Sequence, residues 1–179
     1  MNQGSIQVVD YNAEWPHQFG ELRERIWPSV RDIALAVEHV GSTSVPGLAA
    51  KPVIDLDVVI PSRNEISSIV TRLDALGYRH LGNLGIEDRE VFSTPENRPA
   101  HNLYVCPRDS VALRNHITFR DYLRVHPSDA MAYSMLKKQL AASFAHDIDS
   151  YVHGKTDFIL ACLVQTGNPS GARIGLARG

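Results

Sequence analysis

Cysteine is scarce: the 179 residues hold only Cys106 and Cys162. Two thiols make neither a disulfide framework nor a four-thiolate zinc site. Both stand in apolar runs, the usual setting of buried free thiols. The histidines are scattered without metal-ligand spacing, so no zinc site is expected. No apolar stretch approaches the roughly 20 residues that span a bilayer, and Met1–Asp10 lacks the apolar core of a signal peptide. A soluble, cytoplasmic protein with no membrane partner is expected. An excess of one charge is missing too. The 18 Lys and Arg face 20 Asp and Glu, which excludes a broad basic surface for duplex nucleic acid. Aromatic residues make up 7%, with no aromatic-basic platform for single strands, so a nucleic-acid substrate is not expected.

Hydrophobic residues reach 44%, enough for a folded core and too many for a disordered chain. The length suits one domain, and no repeat or long linker divides it. The expected organisation is a single domain over residues 1–167 and a loose tail over 168–179, where Gly and Arg dominate.

Ile6–Asp10 alternates weakly, as a short strand would. Trp15-Pro16 opens a helix whose Phe19, Leu22, Ile26, Val30 and Ile33 share one face, with Pro28 expected to kink or split it. Ala36–Val40 reads as a strand running into Gly41-Ser42, and Val53–Ile60 is the clearest strand in the chain. A helix follows with Ile66, Ile69, Val70, Leu73 and Leu76 inward, stopped by Gly77. Tyr78–Leu81, Glu90–Ser93 and Asn102–Cys106 resemble further strands. From Asp109 the pattern turns helical. Asp109–Val125 makes one helix. Ser128 caps the next, with Met131, Met135, Leu136, Leu140 and Phe144 inward. Asp149 opens the last, which runs to Gly167. The fold class is α+β, a small mixed β-sheet packed with helices.

Chemistry gathers on the strand Val53–Ile60. Asp55 and Asp57 are two apart, so their carboxylates share one face while Ile54, Leu56 and Val58 take the other. Like charges side by side are unfavourable unless a cation sits between them, and hard oxygen ligands suit Mg²⁺ or Mn²⁺. The alternative is two exposed aspartates on an open sheet. Gly41-Ser42 follows a short strand, with twelve residues between Ser42 and Asp55. Such a turn lets backbone N–H groups approach a phosphate closely.

The run from His39 to Asp55, His-Val-Gly-Ser-Thr-Ser-Val-Pro-Gly-Leu-Ala-Ala-Lys-Pro-Val-Ile-Asp, resembles the signature of the GrpB family, a group of predicted nucleotidyltransferases. Trp15-Pro16 with Phe19, Arg89–Phe92, His101–Val105, Phe119–Arg124, Tyr133 with Lys137, and Tyr151 with Lys155 are similar to it as well. The likeness covers residues 6–165. It implies the nucleotidyltransferase fold of the polymerase-beta-like superfamily, which moves a nucleoside monophosphate from a triphosphate onto an acceptor. On that likeness Asp55 and Asp57 hold Mg²⁺ or Mn²⁺, Gly41 and Ser42 hold the β- and γ-phosphates, and Lys51 neutralises them. The partners implied are a nucleoside triphosphate and a small-molecule acceptor. The strand that carries a third acid in many members reads His101-Asn102-Leu103-Tyr104-Val105 here, without one. His101 is then a candidate base, or a core or edge histidine, and Glu90 on the neighbouring strand is another candidate. Arg89 is a candidate substrate contact from across the sheet, or a surface ion pair with Glu87 or Glu90. Arg120 and Arg124 offer a positive wall, or a salt-bridged helix surface with Asp121. The rival to an enzyme is a nucleotide-binding accessory module, since the resembled family also occurs joined to dephospho-coenzyme A kinase.

Overall fold

Leu22, Ile26 and Val30 recur at helical spacing, and in the computed structural model they form the buried face of α1, Trp15–Val30. The structure describes residues 5–96 and 98–167; the tail expected over 168–179 lies outside them. Pro16 sits in the first turn of α1, where a missing N–H is harmless. Pro28 does not split the helix, which runs on to Val30. It falls in the last turn, and both it and Glu24, whose carbonyl loses its helical donor, are exposed to water.

Five strands follow: β1 Ala36–Val40, β2 Ile54–Ile60, β3 Arg79–His80, β4 Glu90–Ser93 and β5 His101–Pro107, with α2, Ile66–Asp74, between β2 and β3. Their order in the sheet is β1-β2-β5-β4-β3. Only β2 and β5 run parallel; the other pairs are antiparallel. The strand expected at Ile6–Asp10 reduces to one bridge between Val9 and Ala50.

Alternation along β2 sorts the sheet into two faces. Ile54, Leu56, Val58 and Ile60 pack with Leu103 and Val105 of β5 against α1 and α2. Four such side chains contribute about 1.5–3 kcal/mol each. That sum is comparable with the several kcal/mol that each buried carboxylate costs. The strand therefore tolerates Asp55 and Asp57 on its other face, although both are buried.

That second face is covered by the C-terminal helices: α3 Val111–Val125, α4 Pro127–Ser143, α5 Ile148–His153 and α6 Thr156–Gln165. Ser110 caps α3, accepting from the Leu113 N–H. Helix α4 starts at Pro127 after His126, so Ser128 is not its cap. Its inward face also differs from the expected one. Tyr133, Lys137 and Ala141 are buried, while Met131 and Met135 are 68% and 58% exposed. Tyr133 wins the interior by packing edge-on to Phe119 and stacking on Phe158. The long last helix is two. The chain breaks at Gly154-Lys155, where a Cβ on Gly154 would meet Leu140 Cδ2 at 2.5 Å, and the break turns Lys155 inward to 3% exposure. Val45 and Leu48 join the helical cluster of Tyr122, Leu123 and Leu163, which pins the loop between β1 and β2 onto the helices. Both cysteines are free and buried, as expected. No described helix is long and apolar enough to cross a membrane.

His39 ties three of these elements together. Its ring stacks on Phe19 of α1 at 4.5 Å, and Nε2 pairs with Thr43 Oγ1 at 3.0 Å. Burial, reinforced by the charges of Arg124 and Arg120, pushes its pKa down to about 4. The unfolded chain therefore binds a proton that folded His39 refuses, so its contribution is complete above about pH 6.5 and is lost as pH falls toward 4. Urea unfolding is expected to show about 2 kcal/mol of this loss between about pH 7 and about pH 5. The difference between the parent and His39→Gln isolates it, and equal slopes in the two proteins would contradict the assignment.

Candidate active site

Gly41 has φ 70° and ψ −173°, a backbone region essentially closed to residues with a Cβ. It leads from β1 into a short 3-10 turn, Ser42–Ser44. Its bareness has a second cause. A Cβ built there would overlap Asp55 Oδ2 and lie 2.8 Å from Asp55 Cγ. The turn thus rests directly on the first carboxylate of β2. The Ser44 hydroxyl closes it by donating to the Gly41 carbonyl at 2.6 Å.

Asp55 and Asp57 lie on the same face, as alternation requires, and each gives one oxygen to a side chain from a distant element. Asn102, opposite Asp55 in the parallel register, donates from Nδ2 to Asp55 Oδ1 at 2.8 Å. His116 of α3 pairs through Nδ1 with Asp57 Oδ2 at 2.8 Å. Asp57 Oδ1 is buried with no hydrogen-bond partner. Burial pushes the Asp55 pKa up to about 6, although the Asn102 hydrogen bond and the nearby His116 and Lys155 pull it back. A buried carboxylate in this state gains from any added positive charge. Among the described residues no group of three or more His, Cys, Asp and Glu could hold a metal. Two carboxylates with a partnerless oxygen suit instead a hydrated cation that draws its remaining ligands from phosphate and water.

Three lysines lie within electrostatic reach of Asp55, and one of them bonds the turn. Lys137 Nζ donates to Ser42 Oγ at 2.7 Å and lies 4.5 Å above the Tyr133 ring. Lys155 repeats the arrangement, 4.5 Å above Tyr151. Both are almost fully buried. Burial holds Lys137 well below the usual lysine range and Lys155 at about 8; each is pushed down further by a neighbouring lysine and held up by Asp55. Lys51, half-buried before β2, is likewise lowered by burial and held up by Asp55. Cations stacked on tyrosine faces keep a charge in a dry place at reduced cost.

The structure brings Gly41, Ser42, Lys51, Asp55 and Asp57 together. Arg120 and Arg124 stand behind the turn. Arg120 Nη1 bonds Glu38 Oε2 at 2.8 Å and the His39 carbonyl at 3.0 Å, and Arg124 Nη2 bonds the Ser44 carbonyl at 2.8 Å. Asp121 pairs with both, as in the salt-bridged alternative. Arg89 is buried across the sheet, its guanidinium 4.8 Å above the Tyr104 ring. Glu87 and Glu90, its candidate surface partners, bond Arg63 and His80 instead. His101 is not brought to the carboxylates. It pairs with Ile54 in the register and so belongs to the opposite face. Its Nδ1 bonds the Pro99 carbonyl at 2.6 Å and its Nε2 the Tyr78 hydroxyl at 2.9 Å. Glu90, opposite Val105, lies on that face too. His116 and Asn102 were missed as site residues because nothing local marks them. Tyr133 with Lys137 and Tyr151 with Lys155 did carry a signal, the same spacing of four.

A mixed sheet bearing a Gly-Ser turn against paired carboxylates defines a class. Cid1 poly(U) polymerase bound to MgATP superposes with a TM-score of 0.55 at 12% identity, over 83% of this chain and 50% of that one. The likeness shows the nucleotidyltransferase fold. Within that class, a family model described as GrpB protein matches residues 5–165, and the chain belongs to the GrpB family. The crystal structure of GrpB from Enterococcus faecalis is similar at a TM-score of 0.80 and 32% identity, over 89% of this chain and 96% of that one. UPF0157 protein YqkA of Bacillus subtilis is 36% identical over 154 residues, 86% of this chain and 45% of that protein. Dephospho-CoA kinase of Mycolicibacterium paratuberculosis is 24% identical over 82% of this chain and 42% of its own length. The chain thus spans less than half of each of these two relatives.

Two substitutions test the support of the turn. Gly41→Ala is expected to lose about 1–3 kcal/mol from backbone strain alone. Arg120→Ala, which strands Glu38 and the His39 carbonyl, is expected to lose about 1.5–3 kcal/mol. Chemical denaturation measures both, and unchanged midpoints would remove the close approach and the arginine buttress as structural requirements.

Proposed function

We propose that this chain is a nucleotidyltransferase that uses a nucleoside triphosphate with Mg²⁺ or Mn²⁺ and modifies a small-molecule acceptor. The observation that carries the reading is the partnerless Asp57 Oδ1 beside Asp55, next to a Gly-Ser turn whose serine is held by the buried Lys137. Ser42, Lys137, Lys155 and Lys51 bind the β- and γ-phosphates, whose charge repays the burial of the Lys137 and Lys155 ammonium groups. Asp55 and Asp57 would hold the cation, which supplies charge neutralisation at the phosphates. Asn102 and His116 fix the two carboxylates by taking one oxygen of each. The acceptor hydroxyl oxygen bonds to the α-phosphorus as the bond to the bridging oxygen breaks. Pyrophosphate leaves with that electron pair and the hydroxyl proton passes to water. On this reading Arg120 and Arg124 position the turn and do not touch phosphate.

The second reading is a nucleotide-binding module that serves another catalytic unit. It is favoured by the match to under half of a dephospho-CoA kinase and by Asn102 standing where a third acid would face Asp55.

Melting temperatures with each of the four nucleoside triphosphates, with Mg²⁺ and with chelator, test binding; saturation at about 100 times Kd adds about 2.7 kcal/mol. Asp55→Asn keeps an acceptor for Asn102 and removes a buried charge, so its melting temperature without ligand is expected to equal or exceed the parent's. Its response to Mg²⁺ with triphosphate is expected to vanish. Lys137→Met is expected to behave alike, losing at least about tenfold in affinity. A large loss of stability in unliganded Asp55→Asn, with the ligand response intact, would sink the metal-binding reading. Mass spectrometry of metabolite pools then separates enzyme from module: a gain of one nucleoside monophosphate supports transfer, and binding without product supports the module.

A further inference from the structure

Phosphoryl-group displacement places the incoming and leaving oxygens roughly in line at the phosphorus. Given the nucleotidyl-transfer reading above, on which this inference rests, pyrophosphate departs toward Gly41, Ser42 and Lys137. The acceptor must then approach Asp55 from the side opposite the turn. There Asn102 of β5 reaches Asp55, and a cleft of about 750 Å³ opens past it. Its volume falls in the range of about 300–1,000 Å³ typical of small-molecule sites.

One wall of the cleft is apolar, with Leu84 and Ile86 from the β3–β4 loop and Val91 from β4; Val152 of α5 lies across from it. Leu84 remains 55% exposed and carries a positive φ of 47°, so an apolar side chain is held toward solvent at the cleft in an unfavourable backbone state. Arg89 is the one Arg or Lys among the described lining residues. It is 5% exposed, with its guanidinium carbon 4.8 Å from the centre of the Tyr104 ring, which also lines the cleft. A single planar guanidinium held on a ring matches a carboxylate in two parallel hydrogen bonds. A phosphate dianion is better matched by two permanent cations, and no second Arg or Lys is among the described lining residues, whose other titratable groups, Tyr104 apart, are His101, His153 and Asp149.

We propose that this cleft is the acceptor subsite, and that the acceptor is a small hydroxyl-bearing carboxylic acid whose apolar body lies between Leu84 and Val152 and whose carboxylate docks on Arg89. The hydroxyl then points past Asn102 toward Asp55, in line with the departing pyrophosphate.

Ligand-observed NMR on the full chain tests the subsite without requiring turnover. The probes are 4-hydroxybenzoate and its neutral isostere 4-hydroxybenzamide. The acid is expected to bind at least about tenfold more tightly than the amide. Arg89→Met is expected to erase that preference. Val152→Trp, which adds bulk at a half-buried helical position lining the cleft, is expected to abolish binding of both probes while leaving the melting temperature near the parent's. Binding of the acid is expected to persist with saturating Mg²⁺ and triphosphate. Equal binding of acid and amide, no binding of either at millimolar concentration, or binding untouched by Val152→Trp each overturns the proposal. So does displacement of the acid by triphosphate, which would assign the cleft to the nucleoside. A parent that binds the acid as expected but no triphosphate would instead overturn the nucleotidyl-transfer reading and leave an acid-binding cleft.

Discussion

The approach of Gly41 to Asp55 is the constraint on which the rest of the structure turns. A Cβ at Gly41 would overlap the carboxylate, so a bare peptide lies against a buried charge. Everything nearby answers that contact. Asn102 takes the Asp55 oxygen away from the turn, the Ser44 hydroxyl closes the turn onto Gly41, and Arg124 holds its far end. The loop beyond, which reads as irregular, is anchored by burying Val45 and Leu48 among the helices. The turn is therefore held by packed and hydrogen-bonded neighbours and is not a flexible glycine loop.

Electrostatics give the site its second character. The interior holds two carboxylates and two lysines at nearly complete burial, with Lys51 half-buried beside them. Desolvation moves Asp55 and the lysines toward neutrality, so the unliganded protein keeps its charges in a weakened state. The tyrosine faces beneath Lys137 and Lys155 lessen this penalty without using up the ammonium donors. A polyanion with its cation would restore every one of these groups to its charged form at once.

Much of this was legible in the sequence, and the exceptions have a common cause. The strand read at Val53–Ile60 announced itself because six of its eight residues are Val, Ile or Leu, and alternation alone put both aspartates on one face. Gly41-Ser42 was legible because a glycine followed by a small polar residue after a strand is chemically distinctive. The inward face of α4 was misread because a ranking by hydrophobicity sends Met131 and Met135 inside and Lys137 outside. Here the lysine is inside, for a reason located at Ser42, 95 positions away. Asn102 and His116 carry no local mark either, since their partners lie 47 and 59 positions off. His101 looked chemically apt, but a shift of one residue along a strand exchanges faces, and it fell on the wrong one.

Those separations bear on how the chain folds. The bonds that define the site join residues 47, 59, 80 and 95 positions apart, and β2 must pair with β5 across all of α2, β3 and β4. Contacts of such high order close late, after the local helices and hairpins have formed. A partly folded chain therefore owns its secondary structure but none of its binding surface, and the like charges of Asp55 and Asp57 stay in water until the final docking of helices onto sheet. The binding surface is, in this molecule, among the last parts of the fold to be completed.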